Sequence, residues 1–272
     1  MNSLINDNFL LETNAARELY NEIAKDLPIV DYHCHIDAKE IAEDINFKNI
    51  TELWLKGDHY KWRLMRASGI EEKYITGDAP DKEKFMMWAK AIESAFGNPL
   101  YHWTCLELTR YFGIEEPLTT ENAEEIWNKA NEMLGSDELS ARKIMARSNV
   151  ELICTTDDPC DSLIYHEQIK DSGFECKVLP AFRPDNIVDI EKASFNSYLE
   201  RLEKVSGKKI SNMADLKAAL TSRLDHFESH GCKISDHGME FIMYKEDLGI
   251  TSDDVLAKKL SSSDVRLSLI HI

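Results

Sequence analysis

The chain has 272 residues, 43% of them hydrophobic and 30% charged, enough for one large domain or two small ones around a sizeable core. That composition excludes a collagen-like, low-complexity or disordered chain. The net charge of −17, from 32 basic and 49 acidic residues, argues against a broad nucleic-acid-binding surface, so an anionic substrate would need its own Arg or Lys.

The N-terminus lacks the basic-then-apolar pattern of a signal peptide, and no apolar stretch approaches the ~18–20 residues of a membrane span. Cys34, Cys105, Cys154, Cys160, Cys176 and Cys232 form no CxxC pair, and several sit in or beside apolar runs, which suits reduced, buried thiols. A cytoplasmic address without nucleic-acid or membrane partners is the expectation.

Residues 1–35 read as an N-terminal helix and a first strand over 27–33. The 114 residues from Ile36 to Asn149 are far too many for one crossover helix. Residues 36–149 therefore read as a helical insertion, with helices over 81–96, 101–112, 121–134 and 137–147. Its Trp and Met residues fall on amphipathic faces and read as core. Residues 150–266 carry three more apolar runs of strand type, at 150–155, 176–182 and 232–235. Helices over 161–170, 189–205 and 211–229 alternate with them, each followed by a glycine (Gly173, Gly207, Gly231). That order predicts parallel βαβ units. Helical sequence follows over 239–247 and 253–260.

Each of the four strand-type runs leads into polar residues, and a parallel barrel keeps its active site at the C-terminal strand ends. His33 and His35 stand at i and i+2, on one face of a strand. Both imidazoles could meet one divalent metal, although a catalytic metal needs about three protein ligands. Imidazole suits zinc, iron and manganese alike. Arg183 fits a bidentate carboxylate clamp or a structural ion pair with Asp185. Asp236 and His237 could meet substrate hydroxyls or orient a base, or simply hold a turn at Gly238. Asp157-Asp158-Pro159 reads as a helix cap and first turn. His59-Tyr60 by itself reads as an exposed turn leading into a helix.

Five segments together carry a resemblance. They are Val30-Asp31-Tyr32-His33-Cys34-His35, Asp58-His59-Tyr60-Lys61-Trp62-Arg63 with Gly69, Thr155-Thr156-Asp157-Asp158-Pro159, Ala181-Phe182-Arg183-Pro184-Asp185, and Ser235-Asp236-His237-Gly238. In order and spacing they resemble the uronate isomerase (glucuronate isomerase) family of the amidohydrolase superfamily, over nearly the whole chain to about residue 262. The HxH element is common to the superfamily, whereas the His59-Tyr60 segment and the TTDDP and FRPD elements point to this branch.

The resemblance implies an α/β fold: a TIM-type (β/α)8 barrel, here partial with about four of the eight strands, and a helical insertion after the first. It implies interconversion of D-glucuronate with D-fructuronate, or of D-galacturonate with D-tagaturonate, in which the small-molecule partner is a sugar acid. It assigns a divalent metal, zinc by expectation, to His33 and His35, and the uronate carboxylate to Arg183. It assigns proton traffic around C1, C2 or the ring oxygen to His59 and Tyr60, and places Asp236 and His237 in the catalytic pocket. For the full-length protein it leaves a homo-oligomer open. The superfamily's His after strand five and Asp after strand eight have no counterpart here. Residues 267–272 resemble a translated sequencing adapter and are expected to be a non-native scar. The chain is accordingly expected to be an inactive N-terminal half. Two other readings stand beside this one. A superfamily hydrolase would not need His59-Tyr60, and a non-catalytic half-barrel binding or assembly module would need a partner over its open sheet edges.

Overall fold

A computed structural model describes residues 5, 6, 8–238, 249 and 251–261. The helix expected over 239–247 and the expected scar lie outside the described residues. Two compact units emerge, Met1–Ile29 with Glu43–Val150, and Val30–Ala42 with Glu151–Ile272.

The first unit is helical among its described residues. Its larger helices are Ile50–Leu55, His59–Ala67, Asp81–Glu93, Pro99–Phe112, Ala123–Leu134 and Ala141–Arg147. Phe85, Trp88, Ala89 and Ile92 recur at helical spacing and are all buried. The Phe85 ring packs 6.1 Å from Trp54 and 5.4 Å from Trp127, centroid to centroid. Local chemistry sets the helix ends. The Asn98 side chain accepts from the Leu100 N–H, with Pro99 in the first turn. Gly113 closes the same helix at φ +61°, a left-handed cap that favours glycine.

Two expected helices change here. The 81–96 helix stops at Glu93, leaving Phe96 79% exposed. The 137–147 helix is interrupted at Ser140, whose extended backbone (ψ 166°) ends a 3-10 turn over Asp137–Leu139 while its hydroxyl accepts from Lys143 N. A serine can start a helix as readily as continue one.

The second unit holds most of a parallel sheet. Strands β1 (Ile29–Asp31), β2 (Val150–Cys154) and β3 (Lys177–Leu179) lie in the order β1-β2-β3, with Ile153 opposite Val178. The Ile164–Asp171 helix connects β2 to β3, and the Phe195–Ser206 and Met213–Ser229 helices follow β3. Phe195, Tyr198, Leu199 and Leu202 form one buried face with Ile210, Leu216, Ala219 and Leu256. The helix expected over 189–205 begins only at Phe195, where its apolar stripe starts, and a separate short helix, Asp185–Val188, precedes it.

The apolar run at 232–235 forms no strand. Cys232 N still donates to Phe227 O at the preceding helix end, which leaves three residues before Asp236. What remains is one parallel bridge, Phe182 to Ser235, made by Phe182 N to Ile234 O (3.1 Å) and Asp236 N to Phe182 O (3.1 Å). Among the described residues the sheet unit is therefore of (β/α) type, with three parallel strands and a bridge where a fourth strand was expected.

Candidate active site

The C-terminal ends of the strands carry the polar cluster, and the backbone places it. Beyond β1, Cys34 N donates to Cys154 O at 3.0 Å, which prolongs strand-like pairing. Cys34 is buried, and burial pushes its thiol up to about 11, so it stays protonated at neutral pH. His33 and His35 take the opposite, open side. Their Nε2 atoms stand 3.2 Å apart, with the rings nearly perpendicular. Two nitrogens bound to one tetrahedral ion at ~2.0–2.1 Å stand about 3.3 Å apart, so the pair fits the imidazole half of a divalent-metal centre. Among the described residues, no group of three or more His, Cys, Asp or Glu is placed to hold one ion.

Beyond β2 and β3 the pairing also continues. Thr155 N donates to Leu179 O, Ala181 N to Thr155 O, Asp157 N to Ala181 O and Arg183 N to Asp157 O, at 2.9–3.2 Å. This ladder delivers Arg183. Its Nε donates to Asp185 Oδ2 at 2.7 Å, and its Nη1 lies 3.4 Å from Asp236 Oδ2. The same Asp236 oxygen is 3.4 Å from His33 Nδ1. His237 Nδ1 is 3.9 Å from Asp185 Oδ1. Burial raises the Asp185 carboxyl, but the Gly238 N–H and the Arg183 guanidinium outweigh it and hold the group below the usual aspartate range.

His33, His35, Arg183, Asp236 and His237 thus belong to one polar network. His59 and Tyr60 belong to the helical unit. There the Asp58 carboxylate accepts from Tyr60 N (2.9 Å) and Lys61 N (3.0 Å), which makes His59 and Tyr60 the first residues of the His59–Ala67 helix. The Tyr60 ring is exposed, and His59 packs edge-on to Trp62. Buried Lys61 pairs with Asp58 at 3.2 Å and faces Glu107 at 3.8 Å.

Asp157 is the residue that motif reading placed wrongly. It caps no helix, since the next one begins at Ile164. Its Oδ2 accepts from the Thr155 hydroxyl at 2.6 Å and from Ala181 N at 3.2 Å. The Thr155 oxygen is also 2.8 Å from His166 Nε2. Burial pushes the Asp157 carboxyl up to about 6 and the His166 imidazole down to about 4, with His230 adding to the latter. His35, Asp37, Thr155, Asp157 and His166 are among the residues lining a cavity of about 400 Å³. Asp157 stands two residues past Thr155, where strand alternation carried beyond β2 puts it on the Thr155 side, and that spacing was the signal available in the sequence.

A protein-family model described as glucuronate isomerase matches residues 1–269. The structure is similar to that of a uronate isomerase from Thermotoga maritima, at 37% identity and a TM-score of 0.88, covering 98% of this chain and 58% of that one. It is also similar to a glucuronate isomerase from Caulobacter crescentus, at 26% identity and a TM-score of 0.80, covering 92% of this chain and 53% of that one. The chain therefore spans a little over half the length of each.

Proposed function

The chain belongs to the glucuronate isomerase family, and from that premise we propose that its polar network serves the aldose–ketose isomerisation of hexuronates, D-glucuronate to D-fructuronate and D-galacturonate to D-tagaturonate. The observation that carries this reading is the position of Arg183. A guanidinium held along one edge, with its fork directed into the cluster that contains the imidazole pair, suits a substrate with a carboxylate at one end and reacting carbons at the other.

The reaction moves a proton from C2 to C1, turning the C1 aldehyde into an alcohol and the C2 hydroxyl into a ketone. It needs a positioned base and a stabiliser for the enediolate. Held by His33 and His35, a divalent ion, which we take to be zinc, would supply that stabilisation as a Lewis acid. Arg183 binds the C6 carboxylate and so fixes which carbons face the imidazoles. Asp236, between His33 and Arg183 with its Oδ2 3.4 Å from His33 Nδ1, would favour the tautomer that turns the Nε2 lone pair toward the ion. His237 lines the pocket. The proton traffic at C1, C2 or the ring oxygen goes to His59 and Tyr60 on their motif alone.

We read the three strands and the bridge as the first four stations of a (β/α)8 barrel, with residues 36–149 inserted after the first. On this reading the 272 residues hold only part of the ligand set and turn over little uronate alone. An assay of this chain loaded with zinc or manganese tests the point: robust conversion of either uronate contradicts it.

A further inference from the structure

Asp185 opens the short Asp185–Val188 helix, where an acidic residue would ordinarily be explained by the helix dipole. Its side chain does something else. Arg183 Nε donates to Oδ2 at 2.7 Å, and the Gly238 N–H donates to Oδ1 and Oδ2 at 3.0 and 3.1 Å. One carboxylate thus ties the segment leaving β3 to the segment leaving the Phe182–Ser235 bridge, 53 residues apart in sequence. At Gly238 a side chain would displace the ends of Arg183 and Asp185. A Cβ there would stand 2.5 Å from Arg183 Nη2 and 2.9 Å from Asp185 Oδ2.

We propose that Asp185 is the positioning residue for carboxylate recognition, bracing Arg183 along its Nε edge and itself anchored by the Gly238 N–H. Bonding along that edge fixes the guanidinium plane, with Nη1 3.4 Å from Asp236 Oδ2 and Nη2 against Gly238, so that the fork hydrogens these neighbours do not take up can meet a ligand carboxylate. The fork is then oriented before substrate arrives, so binding loses less rotamer entropy. Glycine at 238 belongs to the same device, because any larger residue would push the guanidinium off its brace. The substrate's identity rests on the isomerase reading, whereas the brace itself does not.

The test is arginine side-chain NMR on the ¹⁵N-labelled 272-residue chain, with the Arg183 Nε–H signal assigned by its loss in R183K. The expected result is a slowly exchanging Arg183 Nε–H at neutral pH. In D185A and in G238A it exchanges at least about tenfold faster, while amides far from the cluster keep their shifts. Should D185A fail to fold, D185N keeps the shape, loses the charge and carries the same expectation of faster exchange. An Arg183 Nε–H unprotected in the unmodified chain, or equally protected in the variants, overturns the proposal. Adding D-glucuronate separates the two readings. A protected Nε–H with no response of Arg183 to the sugar acid leaves the brace standing and counts against the isomerase reading.

Discussion

Burial acts in opposite directions on Asp157 and His166, which share the Thr155 hydroxyl. Asp157, raised to about 6, keeps a proton that the unfolded chain releases near pH 4. Its contribution to stability is therefore full below pH ~4 and falls by roughly 3 kcal/mol as pH rises through 6. His166, lowered to about 4, stays neutral while the unfolded chain takes up a proton below about 6.5. Its contribution falls instead as pH drops from about 6.5 to 4. The two limbs oppose each other, so variants are needed to separate them. D157N should gain stability relative to the unmodified chain as pH rises from 4 to 7, and H166Q should gain as pH falls over the same range. Urea midpoints across that window check both, and a difference that does not vary with pH contradicts the account. Sequence spacing makes the shared face of His33 and His35 legible, because strand alternation alone requires it. It leaves Arg183 between clamp and ion pair; in the structure the Nε edge pairs with Asp185 and Nη1 lies 3.4 Å from Asp236 Oδ2. The role of Asp157 was hidden because Asp-Asp-Pro is also how a helix begins.

At the scale of elements, helix and strand cores follow from periodicity, and boundaries follow from single residues. Leu152, Ile153 and Cys154 pair in register with β3 as their apolar run suggests, whereas Ser140 breaks one expected helix and the polar stretch before Phe195 delays the start of another. Such breaks are hard to read because serine, aspartate and lysine occur both within helices and at their ends. The expected fourth strand shrinks to a bridge because the preceding helix cap consumes Cys232. The cap at Asp58 gives a direct test. The D58A variant removes the acceptor of two helix N–H groups and one of the two partners of buried Lys61. The expected loss is about 2 kcal/mol, at the upper end for a helix cap, because Lys61 then keeps only Glu107. Urea unfolding of the helical unit measures it, and a loss within about 0.5 kcal/mol, the range of an ordinary surface substitution, contradicts the cap's importance.

For the molecule as a whole, the helical unit and the sheet unit each have their own core, and the chain spans a little over half the length of the uronate isomerases it resembles. β1 lies at one edge of the sheet with Val30 58% exposed. With only the His33–His35 pair assigned as ligands, zinc should bind the 272-residue chain weakly and be lost on gel filtration. Retention of one equivalent, unaffected by H33A, would mean that the ion sits elsewhere. The central claim is that Arg183 and the His33–His35 pair form a hexuronate isomerase site. Its most direct test is conversion of D-glucuronate to D-fructuronate by the protein translated from the whole reading frame, with R183A and H33A beside it. The account predicts ketose formation, a KM raised about tenfold or more in R183A through loss of one charged contact, and activity nearly abolished in H33A. Absence of ketose from both D-glucuronate and D-galacturonate, or activity indifferent to both substitutions, would contradict it.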